Sequence, residues 1–194
     1  MAIRFARQED LPRMLDIYTP YVTQSTCSFE YEAPSLEEFS QRFRHISVQF
    51  PWLVWEEDGA VLGYAYASAP FERAAYRWCA EPSIYLAPEA QRRGIGKQLY
   101  LALEELLRLQ GYRVCYALIT EENQSSLAFH TALGYRFLAG FPMSGYKMGR
   151  WLGVTWMEKV LNFVESPSNF PAPITEIVNS DRILQEILAK MPLS

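Results

Sequence analysis

The chain has 194 residues, 49% hydrophobic and 14% aromatic, enough to bury one sizeable core in a single domain. A formal charge of -4 argues against nucleic acid as the main partner, and no run of roughly 18 apolar residues exists to span a membrane. Cys27, Cys79 and Cys115 are scattered without metal-ligand spacing, and His45 and His130 are the only histidines, so no metal site is expected and a reducing, cytoplasmic compartment is.

Met1 to Phe5 lack the apolar core of a signal peptide, and 3–5 read as a first strand. Asp10 is placed to cap a helix with Leu11, Met14, Leu15 and Tyr18 on one face, which Pro20 is expected to break. Ser35 to Glu38 form a capping box, and Leu36, Phe39, Phe43 and Ile46 continue that helix. Strands over 52–56 and 61–69 flank an Asp58-Gly59 turn, a hairpin signature. After a loop over 70–77 comes a strand over 78–86, disturbed at Pro82, which cannot donate to a ladder. A glycine-bearing turn leads into a helix over 97–110, with Ile95, Leu99, Ala102, Leu103 and Leu106 at helical spacing. Then follow a buried strand over 115–119 and a helix over 125–133, capped by Asn123 or Ser125 and ended by Gly134. Strands over 135–140 and 151–163 come last, before a proline-rich linker over 165–173 and a short amphipathic helix through Ile183, Leu184, Ile187, Leu188 and Met191. Strands alternating with helices and mixed with hairpins predict an α/β sheet with antiparallel parts.

The turn Gln91-Arg92-Arg93-Gly94-Ile95-Gly96 carries the chain from a strand into a helix. Free N–H groups at such a helix start, with Arg92 and Arg93 beside them, make an anion site suited to a pyrophosphate. A dinucleotide fingerprint would need glycine at Leu99, and a P-loop would need glycine at Gln91 and Ser or Thr at Gln98. The segment resembles the acetyl-CoA loop of the GNAT N-acetyltransferases, Gln/Arg-x-x-Gly-x-Gly/Ala. Asn123, an aromatic-like position at His130 seven residues later, and Gly134-Tyr135 resemble that family's second motif, in which tyrosine often stands where this chain has His130.

A closer resemblance begins at Ser25 to Phe29 and continues at Pro51 to Val54, Ala75 to Trp78, Glu81 with Ser83 to Tyr85, Leu127 to Tyr135, and Gly145 to Trp151. Together these look like the phosphinothricin and methionine sulfoximine N-acetyltransferases. The resemblance implies a GNAT fold: a central mixed, mostly antiparallel twisted sheet flanked by helices and splayed at the acetyl-CoA site. It implies a transferase domain over 1–164, with the linker and helix over 165–194. It also implies a Glu81–His130 catalytic pair, and acetyl-CoA contacts at Ile84, Tyr85, Leu86, Arg92, Arg93, Gly94, Ile95, Gly96, Lys97 and Asn123. Substrate contacts at Phe29, Arg73 and Tyr76, and a homodimer, follow from the same resemblance. Phosphinothricin is a dianion, which suits cationic partners, so Arg73 and Lys147 are candidates for it. Met148 and Gly153 depart from the branch, which often has His and Asp there.

Acetyl transfer from a thioester to an amine needs a proton acceptor, donors for the oxyanion, and a stabilised thiolate. Glu81 can take the amine proton, and His130 titrates near neutrality and can serve as acid or base. The leading expectation is acetylation of a small amino acid analogue. Acetylation of protein N-termini and a catalytically silent CoA-binding module are the alternatives.

Overall fold

The computed structural model describes residues 2–163, 165–177 and 180–191; the limits of the expected segments at Met1, Val164 and 192–194 lie outside these. Its strands are β1 (Ala2–Phe5), β2 (Trp52–Glu57), β3 (Ala60–Ser68), β4 (Cys79–Leu86), β5 (Val114–Thr120), β6 (Arg136–Lys147) and β7 (Arg150–Val160). The helices are α1 (Leu11–Thr23), α2 (Leu36–Gln49), α3 (Ile95–Gln110), α4 (Gln124–Ala132) and α5 (Ser180–Lys190). One open, mixed sheet runs β1-β2-β3-β4-β5-β7-β6. Every pairing is antiparallel except β4 with β5.

Two apolar clusters form, one on each face. Leu11, Met14, Ile17, Tyr18, Phe39 and Phe43 of α1 and α2 pack with Trp52, Val54 and Tyr64. Leu99, Leu103, Leu106 and Leu107 of α3 pack with Leu53, Ala65 and Ala117, and the tail residues Ile174, Leu184 and Ile187 join this second cluster.

Several boundaries differ from expectation. Helix α1 runs through Pro20. That proline removes the bond to the Asp16 carbonyl, but both residues are exposed, so water can serve the carbonyl. Asp10 does not cap α1 with its side chain; its carboxylate accepts from the Arg7 N–H at 2.7 Å and from Arg4 at 2.7 and 2.8 Å. Strand β6 extends beyond Gly140 to Lys147, with a register shift between Phe141 and Gly145. The reversal lies at Met148-Gly149, both at positive φ (51° and 76°), so Gly145 to Lys147 are strand rather than turn.

Candidate active site

β4 and β5 stay together for two pairs only, Cys79 with Val114 and Ala80 with Cys115. Beyond them the strands part. The Ala87 N–H donates to Leu62 of β3, so by alternation the odd residues of β4 address β3 and the even ones address β5. Pro82 is therefore missing its N–H on the β5 side, just past the last pair. The opening is a cleft of about 320 Å³ lined by the 81–86 stretch of β4 and by 117–120 of β5. Gly96 and Asn123, Ser126, Phe129 and His130 form further wall, and Tyr21 and Cys27 close one side.

The same alternation sorts the backbone. Ile84 turns its N–H and C=O into the cleft, whereas Tyr85 turns its own toward β3. Leu86 also faces the cleft, but the Tyr21 hydroxyl serves both its groups, donating to the carbonyl at 2.7 Å and accepting from the N–H at 3.2 Å. Tyr85's side chain packs edge-on to Tyr18 and Tyr21.

At the start of α3, Gly94 sits at φ 78° and supplies no side-chain cap. The N–H groups of Ile95, Gly96 and Lys97 thus open the helix without partners in it, and the dipole adds positive potential there. A Cβ at Gly96 would stand 3.2 Å from Leu86 Cδ1 and 3.4 Å from Ile84 Cδ1, so glycine lets the helix start rest on β4. Arg92 and Lys97 are exposed. Arg93 is not free: its guanidinium meets Glu57 at 2.7 and 3.0 Å.

Glu81 lines the cleft, and among the described residues no hydrogen bond or ion pair reaches its carboxylate. Burial raises its pKa above the ordinary value. His130 also lines the cleft, at 5% exposure, with both ring nitrogens engaged. Nδ1 lies 2.8 Å from the Ser126 carbonyl, which can only accept, so Nδ1 carries the proton. Nε2, 2.8 Å from the fully buried Tyr100 hydroxyl, then accepts from it. Burial lowers the His130 pKa, opposed by the Ser126 bond, which favours the neutral ring. No hydrogen bond joins Glu81 to His130.

The sequence profile of the acetyltransferase (GNAT) domain matches residues 3–156. The chain belongs to the GNAT acetyltransferase family. The acetyltransferase is 37% identical over 164 residues to a phosphinothricin N-acetyltransferase of Alcaligenes faecalis, with 82% of each chain covered. It is 30% identical to the L-methionine sulfoximine/L-methionine sulfone acetyltransferase of Salmonella typhimurium, covering 86% of this chain and 98% of that one. Its fold matches a GNAT phosphinothricin acetyltransferase from Sinorhizobium meliloti, solved in complex with acetyl-CoA, at a TM-score of 0.81 and 38% identity over 88% and 92% of the two chains. The enzyme is an acetyl-CoA-dependent acyltransferase. Its own geometry fits that co-substrate: an uncapped helix start for phosphate lies beside a strand with unpaired amide groups. Among the described residues no cluster of His, Cys, Asp or Glu is placed to hold a metal ion, and no helix is long and apolar enough to cross a membrane.

The expected substrate residues do not line this cleft. Phe29 lies against Gly145, where any Cβ would overlap its ring. Arg73 and Tyr76 are exposed on the loop before β4, and Tyr76 packs on Phe71 at 4.6 Å. Lys147, the other cation expected at the substrate, is 4% exposed, and its ammonium donates to the carbonyls of Val22 (2.6 Å), Ser25 (2.9 Å) and Ser28 (2.6 Å). Three bonds exhaust its three donors. Asn123 caps α4, accepting from the Ser126 N–H at 3.1 Å, and donates to Cys27 Sγ at 3.2 Å. Tyr21, Cys27, Tyr100 and Ser126 escaped the sequence reading. A helical tyrosine and a lone cysteine carry no site signal, but Tyr100 and Glu104, polar residues on the buried run of α3, mark a polar network in the core.

Proposed function

We propose that the enzyme moves the acetyl group directly to the primary amine of a small amino acid analogue such as phosphinothricin or methionine sulfoximine. The observation that carries this reading is Glu81, a carboxylate in the cleft without a partner and with a raised pKa. Acetyl-CoA supplies the activated acyl carbon. Glu81 takes one proton from the substrate ammonium, directly or through one water, and the freed nitrogen lone pair forms the new C–N bond as the C–S bond breaks; the sulfur leaves as the CoA thiolate and takes up the second proton that the new amide nitrogen sheds. His130 assists as a neutral ring in the opposite wall, able to take up a proton only by giving up its bond from Tyr100. The pyrophosphate settles at Ile95 to Lys97, with Arg92 and Lys97 as the exposed cations beside it, and the Ile84 amide groups serve the pantetheine arm.

For the substrate anion, Lys147 is occupied, so the role falls to Arg73, whose guanidinium has no partner among the described residues. Tyr76 and Phe29 would then shape the apolar part of the acceptor pocket. A second copy of the chain covers the outer β6–β7 surface, where Phe137, Met143 and Trp151 are 67%, 68% and 60% exposed. Three unpaired thiols suit a cytoplasmic setting.

Release of CoA with phosphinothricin, methionine sulfoximine and a peptide bearing a free N-terminus tests the reading. Turnover is expected with the amino acid analogues, and Arg73→Ala should raise their KM while leaving that for acetyl-CoA unchanged. Faster acetylation of the peptide would assign the enzyme to protein N-termini instead, and CoA binding without turnover would leave only a silent module. Light scattering at twice the chain mass is expected, and a monomer would remove the dimer.

A further inference from the structure

Residues 22–29 leave the end of α1 and cross beside the cleft to the start of α4. Three contacts fasten this strap from outside. Asn123 donates to Cys27 Sγ at 3.2 Å, the Thr26 hydroxyl donates to Glu122 at 2.6 Å, and the Tyr18 and Ser28 hydroxyls lie 2.9 Å apart. From beneath, the Lys147 ammonium donates to the carbonyls of Val22, Ser25 and Ser28. All three of its donors thus go to one short stretch of backbone, and among the described residues no carboxylate pairs with it. A buried charge without a counter-ion is costly unless fully hydrogen-bonded, so this ammonium and this turn require each other. Phe29 adds a second seat by lying over Gly145, two residues before Lys147 on β6. The strap in turn presents Cys27 to the cleft, while Lys147 does not reach it.

We propose that Lys147 is a positioning residue for the co-substrate: it holds the 22–29 strap in place beside the cleft and so sets CoA affinity without touching CoA or the acceptor. This rests on the reading of the β4–β5 cleft as the site of the pantetheine arm. An unanchored strap occupies its closed position for only part of the time, and apparent affinity falls by that fraction.

The experiment measures CoA binding by calorimetry and amide hydrogen exchange in the full chain. Binding of CoA to the parent, weakened by Gly94→Val, tests the cleft itself; the Lys147 variants test the anchor. Lys147→Met keeps the apolar stem and deletes the donors. It is expected to weaken CoA about tenfold or more, with faster exchange in 22–29 and unchanged protection at 99–107 of α3. Its KM for acetyl-CoA should rise more than its kcat falls. Should Lys147→Met not fold, Lys147→Arg takes its place. A planar guanidinium fork cannot aim three N–H groups at carbonyls set around one nitrogen, so the same pattern is expected. Affinity within about twofold of the parent in the folded variant, or exchange rising in α3 as much as in the strap, overturns the proposal.

Discussion

Glu81 faces opposing demands of stability and catalysis. An unpaired carboxylate in a half-buried wall is costly when charged, and that cost makes it a better proton acceptor. Its folded pKa is raised, so the folded chain holds this proton more tightly than the unfolded one. The stability it contributes is present below the ordinary carboxylate value of about 4.3 and is lost as pH rises through the raised folded value. Glutamine suffers no such loss. Glu81→Gln is therefore expected to lower turnover by about 10²–10⁴-fold while melting higher than the parent at pH 8, with the gap narrowing on acidification. Parent-like turnover in this variant would remove Glu81 as base. Tyr100 behaves differently. Tyr100→Phe deletes the donor to His130 Nε2 and leaves a buried acceptor unpaired, at a cost of about 1–3 kcal/mol. Chemical denaturation should show that loss, with a smaller fall in kcat than Glu81→Gln produces.

At the scale of elements, the turn into α3 was legible because its signals are local. Gly94 at positive φ, a missing cap and a helix start are all written within a few residues. Gly94→Val would force a β-branched residue to φ 78°, so weaker CoA binding is expected from calorimetry even where the fold survives. The splay was half legible. Pro82 marked a disturbed strand, but which neighbour loses the hydrogen bond depends on the register between β3 and β4. Lys147 was not legible at all. Its partners lie more than a hundred residues away, and nothing near Gly145-Tyr146-Lys147 in sequence announces three carbonyls. The departure at Gly153 has a similar long-range account. Glu121, opposite it at the end of β5, occupies the space where a Cβ at 153 would go. A carboxylate thus stands beside Gly153, delivered by the residue that follows β5. Gly153→Asp should displace Glu121 and lower the melting temperature; an unchanged melting curve would contradict this packing.

At the scale of the whole molecule, the tail braces α3, the helix that starts at the uncapped Gly94 turn. Gln110, the last residue of α3, donates from Nε2 to the Gln49 and Ala172 carbonyls at 2.7 Å each, and the Ala172 N–H returns to the Gln110 carbonyl at 2.9 Å. Beyond this clasp, α5 lies against α3 and β1, with Leu184 1% and Ile187 8% exposed in the cluster that holds Leu103 and Leu107. The residues that line the cleft lie elsewhere, at the opposite end of α3 and along β4, β5 and α4. A defect in the tail should therefore cost stability before it costs binding. Leu184→Ala removes a fully buried side chain and is expected to destabilise by about 2–5 kcal/mol. Urea denaturation should show the lower midpoint with an unchanged slope, because the surface exposed on unfolding stays nearly the same. Below the new transition, calorimetry should return the parent's CoA affinity, since neither the uncapped turn at Gly94 nor the Ile84 amide groups have changed. A large loss of CoA affinity in the still-folded variant would mean instead that the pose of α3 depends on the tail along its whole length.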